Sequence, residues 1–333
     1  MQALKRILVV RLSSIGDIIL TTPLLRRLKA AFPEARIDYY TKEPFTGLLA
    51  SNPGISKVFT VENPPVGAYD LVVDLQNNIR SHAMLRSLDV SRTVRYHKHN
   101  WKKWLLIHFR MDLYGSCQSV AERYQIALKE FGVRSDLQGC ELYPTAEDRE
   151  FAAPFFSDGQ ATLALCFGAK HFTKRYPPPR FATVLSLLFA TLPLRVLLLG
   201  GKEDAPHALE IVNALPEQYR YGVVNLAGSC SLMQTAALLE RCDAVLSNDT
   251  GLMHMASAFS KQLFVLFGSS SASFGFLPYH TPFKLFEVEG LRCRPCSHIG
   301  REHCPKGHFR CMNELQEPLI AKKIIDYFNR ERS

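Results

Sequence analysis

Short, unbroken apolar runs recur along this chain, and each leads through a turn of small or polar residues into a stretch of helical spacing. Ile7-Leu8-Val9-Val10 and Val196-Leu197-Leu198-Leu199 are the clearest of these runs. A run without polar alternation is the mark of a strand buried on both faces of a parallel sheet. The pattern predicts strands over 6–12, 36–41, 57–61, 71–75 and 93–96 in the first half. It predicts further strands over 162–167, 195–199, 223–226, 244–247, 263–267 and 284–288 in the second. Helices are expected over 17–31, 119–131, 179–191, 205–215, 231–240, 251–259 and 318–329. Alternation of this kind builds α/β domains with helices on both faces of a doubly wound sheet. It weakens between residues 137 and 159, which carry Pro144, Pro154, Gly139, Gly159 and the acidic pair Glu147-Asp148. A boundary near 155 gives one domain over 1–155 and a second over 156–315. Residues 316–333 add a C-terminal helix able to dock on either half, with the N-terminal domain the expected one. No unit of 20–50 residues repeats.

Length supports the division, since 333 residues is about two domains' worth of chain. Hydrophobic residues are 47% and charged residues 21% of the total, which excludes a disordered chain. Forty Lys and Arg against 31 Asp and Glu leave a net charge of +9, a bias toward phosphates, nucleic acid or an acidic membrane surface. The first ten residues run straight into a strand, without the basic, apolar and small-residue regions of a secretory signal. No window approaches a membrane span. A cytoplasmic protein with reduced thiols is the expectation.

Four strand-to-helix turns could carry chemistry. The first is Ser13-Ser14-Ile15-Gly16-Asp17, which lacks both the dinucleotide and the P-loop glycine patterns. Asp17 reads either as a helix cap or as a general base at the sheet edge. The second, Gly168-Ala169 followed by Lys170, Lys174 and Arg175, is a basic loop suited to phosphate or simply to solvent. In the third, Gly200-Gly201 would let backbone N–H groups approach a ligand. Glu203 beside them could accept bonds from a ribose diol or serve as a first-turn carboxylate. The fourth is Asn248-Asp249-Thr250-Gly251, which opens a helix whose His254 shares a face with Thr250. A helical His is often a plain core residue, but this register turns it back toward the loop.

Taken together, these residues resemble a known family. The R-L-S-S-I-G-D-I-I-L-T-T-P run at 11–23 looks like the N-terminal signature of the lipopolysaccharide heptosyltransferases of glycosyltransferase family 9. Val73-Asp74-Leu75-Gln76 with Arg80-Ser81, then Gly168-Ala169 with Lys174-Arg175-Tyr176-Pro177, follow in the family's order. So do Asn225-Leu226-Ala227-Gly228, Asn248-Asp249-Thr250-Gly251-Leu252-Met253-His254 and Leu266-Phe267-Gly268. The resemblance spans nearly the whole chain. It implies the GT-B fold, two Rossmann-like domains facing across a cleft. It also implies inverting transfer of a heptose from an ADP-sugar donor to the inner core of a lipid A-linked oligosaccharide, with no cofactor required for catalysis. Asp17 would be the base. Lys174, Gly200, Glu203, Asp249, Thr250, Gly251 and His254 would hold the donor, and Ser14, Gln76 and Arg80 the acceptor.

Nine cysteines remain to be placed. Cys293, Cys296, Cys304 and Cys311 form C-x₂-C-x₇-C-x₆-C with three histidines interspersed, readable as a structural zinc site, as disulfides or as free thiols. Cys117, Cys140, Cys166, Cys230 and Cys242 are scattered and read as small core residues.

A basic, aromatic stretch over 92–104 includes Arg92, Arg95, Lys98, Lys102 and Lys103 with Tyr96, Trp101 and Trp104. It fits acceptor phosphates, an anionic leaflet or nucleic acid, or a plain solvated face. The expectation is acceptor and peripheral contact with the inner face of the membrane, without nucleic acid. Rival classes are a transferase of the same fold using another nucleotide-sugar or acceptor, a nucleotide enzyme of different chemistry, and a nucleic-acid-binding protein built on the basic stretch and cysteine cluster.

Overall fold

The computed structural model describes residues 4–115 and 119–331; Cys117 lies outside them. All eleven predicted strands form, in two parallel sheets. The first half supplies β1 (Arg6–Val10), β2 (Arg36–Tyr40), β3 (Lys57–Phe59), β4 (Ala68–Asp74) and β5 (Asp89–Arg95), ordered β3-β2-β1-β4-β5. The second supplies β6 (Thr162–Cys166), β7 (Arg195–Leu199), β8 (Val223–Asn225), β9 (Ala244–Asn248), β10 (Gln262–Phe267) and β11 (Phe283–Glu287), ordered β11-β10-β9-β6-β7-β8. Every pairing is parallel: Ile7 lies between Ile37 and Leu71, and Leu163 lies between Val196 and Ala244.

The unbroken apolar runs are explained by burial on both faces. Ile7 and Val9 join one cluster with the helices on their side, whereas Leu8 and Val10 point into another. In the second sheet Ala164 and Cys166 face one way and Leu163 and Leu165 the other.

Three differences from the sequence reading have physical causes. The helix expected over 17–31 breaks into Ile15–Ile19 and Thr22–Ala31. Thr21 and Thr22 turn their hydroxyls onto the carbonyls of Ile18 and Ile19, and Pro23 restarts the helix without an N–H. Second, the stretch of weakened alternation holds the helix Ala146–Ala152, started by reciprocal bonds between Thr145 and Asp148. This helix packs on Leu232–Arg241 of the second half, with Arg149 paired to Glu240 at 2.7 Å. Third, the C-terminal helix Glu317–Glu331 docks on Pro178–Phe189 of the second half, not on the N-terminal domain. Its stripe of Ile320, Ile324 and Phe328 meets Phe181, Leu185 and Leu188 in one apolar cluster. No helix among the described residues is long and apolar enough to cross a membrane.

Candidate functional site

In a doubly wound sheet, ligands bind beyond the carboxyl ends of the strands where the strand order reverses. Here those reversals fall between β1 and β4 and between β6 and β9. The loops leaving these four strands carry Asp17, Gln76, Lys174 and Asp249. Topology therefore selects three of the four turns marked by the sequence pattern, those after β1, β6 and β9. The Gly200-Gly201 turn follows β7, away from the reversal, and the Gln76 loop after β4 is implied by the family resemblance alone.

At the first reversal, Arg11 organises the turn. Its guanidinium donates to the carbonyls of Ser13 and Leu75, each at 2.9 Å, and pairs with the Asp17 carboxylate at 2.6 Å. Ser14 donates its hydroxyl to Asp17 at 2.9 Å. Burial pushes the Asp17 carboxyl up, but Arg11 and the Ser14 bonds outweigh it and leave the group below its ordinary value. Asp17 is thus an ionised acceptor at neutral pH. Gln76 accepts from the Leu12 N–H at 3.0 Å and ties the ends of β1 and β4 together. Ser14 and Arg80 are exposed. Lys98 and Lys103 lie within electrostatic range of Asp17 and Arg11. Burial, then Lys98 and Arg123, push the Lys103 ammonium down to about 8.

At the second reversal, the Lys174 ammonium pairs with Asp249 at 2.7 Å, and both side chains are largely buried. Ser270 adds a hydroxyl bond to the same carboxylate at 2.7 Å. Burial raises Asp249, yet Lys174 and the hydrogen bonds keep it below its ordinary value. Lys174 is therefore fixed in direction, not left as a mobile surface cation. Thr250 opens the helix Gly251–Ser257 without a side-chain cap bond. Gly168 and Gly200, at the ends of β6 and β7, make room for the buried Asp204: a Cβ at Gly168 would sit 2.1 Å from its carboxylate. Glu203 is exposed and folds its carboxylate over Gly201. Beside Asp204 an apolar recess of about 260 Å³ opens between Phe167, Phe172, Tyr176 and Phe309.

The two reversals meet. The helix Ile15–Ile19 packs start to start against Gly251–Ser257, with glycine on each side of the contact. A Cβ on Gly16 would lie 2.5 Å from the His254 ring, and one on Gly251 would lie 2.8 Å from Ile15. His254 is buried between Asp17 and Asp249, and its Nδ1 has no hydrogen-bond partner among the described residues. Burial holds its imidazole down to about 4, so the ring is neutral at physiological pH. Elsewhere across the contact, Arg123 donates to the carbonyls of Phe274 and Ser273, and Tyr279 bonds Glu122.

The structure thus brings Asp17, Lys174, Asp249, Thr250, Gly251 and His254 to one place and sets Glu203 and Arg80 at exposed edges. Sequence reasoning missed Arg11, Asp204 and Ser270. A cation at the end of an apolar run is a signal for the first, and a carboxylate opening a helix after a glycine pair is one for the second.

The structure lends the zinc reading of the cysteine window no support, although Cys293, Cys296, Cys304 and Cys311 lie within electrostatic range of one another. Among the described residues no group of three His, Cys, Asp or Glu is arranged to hold a metal ion, and each described cysteine is a free thiol. Cys311 is buried in the apolar cluster with Phe309 and Met312, while Cys293 turns to His308, its sulfur 3.8 Å from Nε2.

Comparison with known proteins bears on the family and the fold. The sequence profile described as glycosyltransferase family 9 (heptosyltransferase) matches residues 66–305. Lipooligosaccharide heptosyltransferase 2 of Haemophilus influenzae is 27% identical, over 89% of this chain and 93% of its own. The structure of the Escherichia coli ADP-heptose LPS heptosyltransferase II superposes with a TM-score of 0.77 at 21% identity, covering 98% of this chain and 100% of that one. The E. coli heptosyltransferase WaaC with ADP-2-deoxy-2-fluoro heptose gives 0.65 at 17%, again over 98% and 100%. The two facing parallel sheets are therefore the GT-B fold. The chain belongs to glycosyltransferase family 9, the heptosyltransferase family, and is a glycosyltransferase.

Proposed function

We propose that this enzyme transfers a heptose, with inversion, from an ADP-activated donor to the inner core of a lipid A-linked oligosaccharide at the cytoplasmic face of the membrane. One observation carries the reading: an ionised carboxylate, Asp17, at one strand-order reversal faces a fixed Lys174–Asp249 pair at the other, with His254 between them. The relatives' printed names support the donor and acceptor classes.

The acceptor hydroxyl must lose a proton as its oxygen attacks the anomeric carbon. Asp17 takes that proton on Oδ2, the oxygen that Ser14 and not Arg11 holds. The C–O bond to the diphosphate breaks on the opposite side of the sugar, so the new bond forms with inversion. The leaving ADP gathers negative charge on its terminal phosphate, where Lys174 and the N–H groups at Thr250 and Gly251 stabilise it. Asp249 holds the ammonium in place and so reduces the reorganisation needed at the transition state. Gly200 and Glu203 meet the ribose, and the aromatic recess beside Asp204 receives the base. On the acceptor side, Ser14, Gln76 and Arg80 orient the sugar, while Lys98 and Lys103 answer its acidic groups. Contact between the halves excludes water that would otherwise hydrolyse the donor.

Thermal stabilisation by a panel of ADP-, UDP- and GDP-sugars tests the donor, with a shift expected for ADP species alone. Asp17→Asn should lose about 100- to 10,000-fold in turnover with donor affinity intact. Unchanged turnover would remove the base assignment. Lys174→Ala should instead weaken donor binding, and an unchanged affinity would remove its phosphate role.

A further inference from the structure

Five large apolar side chains stand in solvent within one 13-residue segment. Trp101, Trp104, Phe109, Met111 and Leu113 are between 41% and 59% exposed. Isolated exposed apolar residues are ordinary, but such a concentration marks an interaction surface. The segment comprises the helix Asn100–Phe109 and the irregular residues after it. The helix is moored from beneath by the buried Leu106, which leaves the aromatic side outward. Trp104 packs against His108 at 5.0 Å and Phe109 at 5.3 Å, forming a continuous aromatic platform. Lys102 ties the following stretch back through the Leu113 carbonyl at 2.9 Å.

The platform continues into a cationic face contributed by the other half. Arg110, at the helix end, donates to the Arg292 carbonyl at 2.9 Å. It lines an open recess of about 640 Å³ with Arg292, Lys306, His308 and Arg310. Glu289 and Glu314 also line the recess, and Glu314 is taken up by Arg310, so cations prevail. An apolar aromatic face bordered by Lys and Arg is complementary to the boundary between anionic headgroups and acyl chains. A second copy of the chain would bring like charges together. Nucleic acid would use the rings for stacking but has no counterpart for Met111 and Leu113.

We propose that residues 100–113 and the basic recess beside Arg110 form one docking face for an anionic lipid bilayer. Trp101, Trp104, Phe109, Met111 and Leu113 enter the headgroup boundary, and Arg110, Arg292 and Lys306 meet lipid phosphates. The face draws on both halves. It rests on exposure and charge and stands whichever sugar is transferred.

The chain contains two tryptophans, both on this helix, so intrinsic fluorescence of the full protein reports directly on the face. Vesicles of equal parts phosphatidylcholine and phosphatidylglycerol should shift the emission to the blue. Brominated acyl chains should quench it, and high salt should reverse binding. Phosphatidylcholine alone should do neither. Trp104→Ala should lower vesicle partition by about tenfold, and Arg292→Glu with Lys306→Glu by about as much, with melting temperature and circular dichroism unchanged. Unshifted emission with the anionic vesicles, equal binding to neutral ones, or full partition of both variants would overturn the proposal. So would tighter binding of a single-stranded oligonucleotide than of the anionic vesicles. No outcome depends on turnover, so failure here is distinct from failure of the transferase reading.

Discussion

The close contact between Gly16 and His254 can be tested by adding one methyl group. An alanine at 16 would place its Cβ 2.5 Å from the His254 ring, about 0.9 Å short of ordinary van der Waals contact. The ring is buried and cannot swing into solvent, so the helix Ile15–Ile19 must retreat. Overpacking of this kind costs about 1–3 kcal/mol, and alanine's better helix propensity returns roughly 0.5–1 kcal/mol of it. Gly16→Ala should therefore lose about 1–2 kcal/mol and a few degrees of Tm. Asp17 rides on the same helix, and a displacement approaching 1 Å should lower kcat by about 100-fold. A double-mutant cycle with His254→Ala isolates the cause, because removing the ring vacates the space the new methyl needs. The double variant should then be more stable than the sum of the single losses by about 1 kcal/mol or more. Thermal unfolding of the four proteins, with kcat for Gly16→Ala, measures both effects. Strict additivity, or wild-type kcat in Gly16→Ala, would show that the two turns do not touch as described.

Other outcomes follow from the same structure. Lys103 titrates near 8, so acceptor affinity should fall as pH rises through that value, and Lys103→Arg should abolish the fall because guanidinium stays charged. The acceptor KM measured between pH 7 and 9 checks this. His254 is held near 4 against 6.5 for a free imidazole, so between those values the unfolded chain takes up a proton that the folded chain does not. Stability should therefore decline as pH falls from about 6.5 toward 4, and His254→Phe should flatten that slope in denaturant titrations. Ile324→Ala empties a fully buried position between the C-terminal helix and Pro178–Phe189 and should cost about 2–5 kcal/mol, read from the unfolding midpoint.

Much of the architecture could be read from the chain because strands buried on both faces cannot hide their composition. Ile7–Val10 and Leu163–Leu165 announce themselves without partners. The loops at the sheet edges were legible for a related reason, since small residues and isolated charges must follow where apolar runs stop. Orientation was not legible. Of the neighbours Glu203 and Asp204, the sequence favours the first. The second is drawn into the turn because Gly168, remote in sequence, joins the nearby Gly200 in leaving a hollow for its carboxylate. The helix Asn100–Phe109 escaped notice because its apolar residues face outward and blur the usual amphipathic spacing. Placement of the C-terminal helix depended on a matching stripe on Pro178–Phe189 more than 130 residues away, which no local pattern contains. The cysteine spacing resembles a metal motif, yet spacing alone does not assemble three ligands among the described residues.

Because the last helix stays with the second half, the described chain passes between the halves once, at residues 142–145, after Glu141 bonds Thr22 and before the helix that packs on Leu232–Arg241. A protein joined at one point is, in effect, a tethered pair. The link raises the local concentration of each half about the other without dictating their angle. The angle is instead set by the paired glycines, by Arg123 on its two carbonyls and by Tyr279 on Glu122. Cut at that link, the enzyme becomes a two-piece system whose activity would follow fragment concentration. Its dissociation constant would then measure directly how strongly the active site holds itself together.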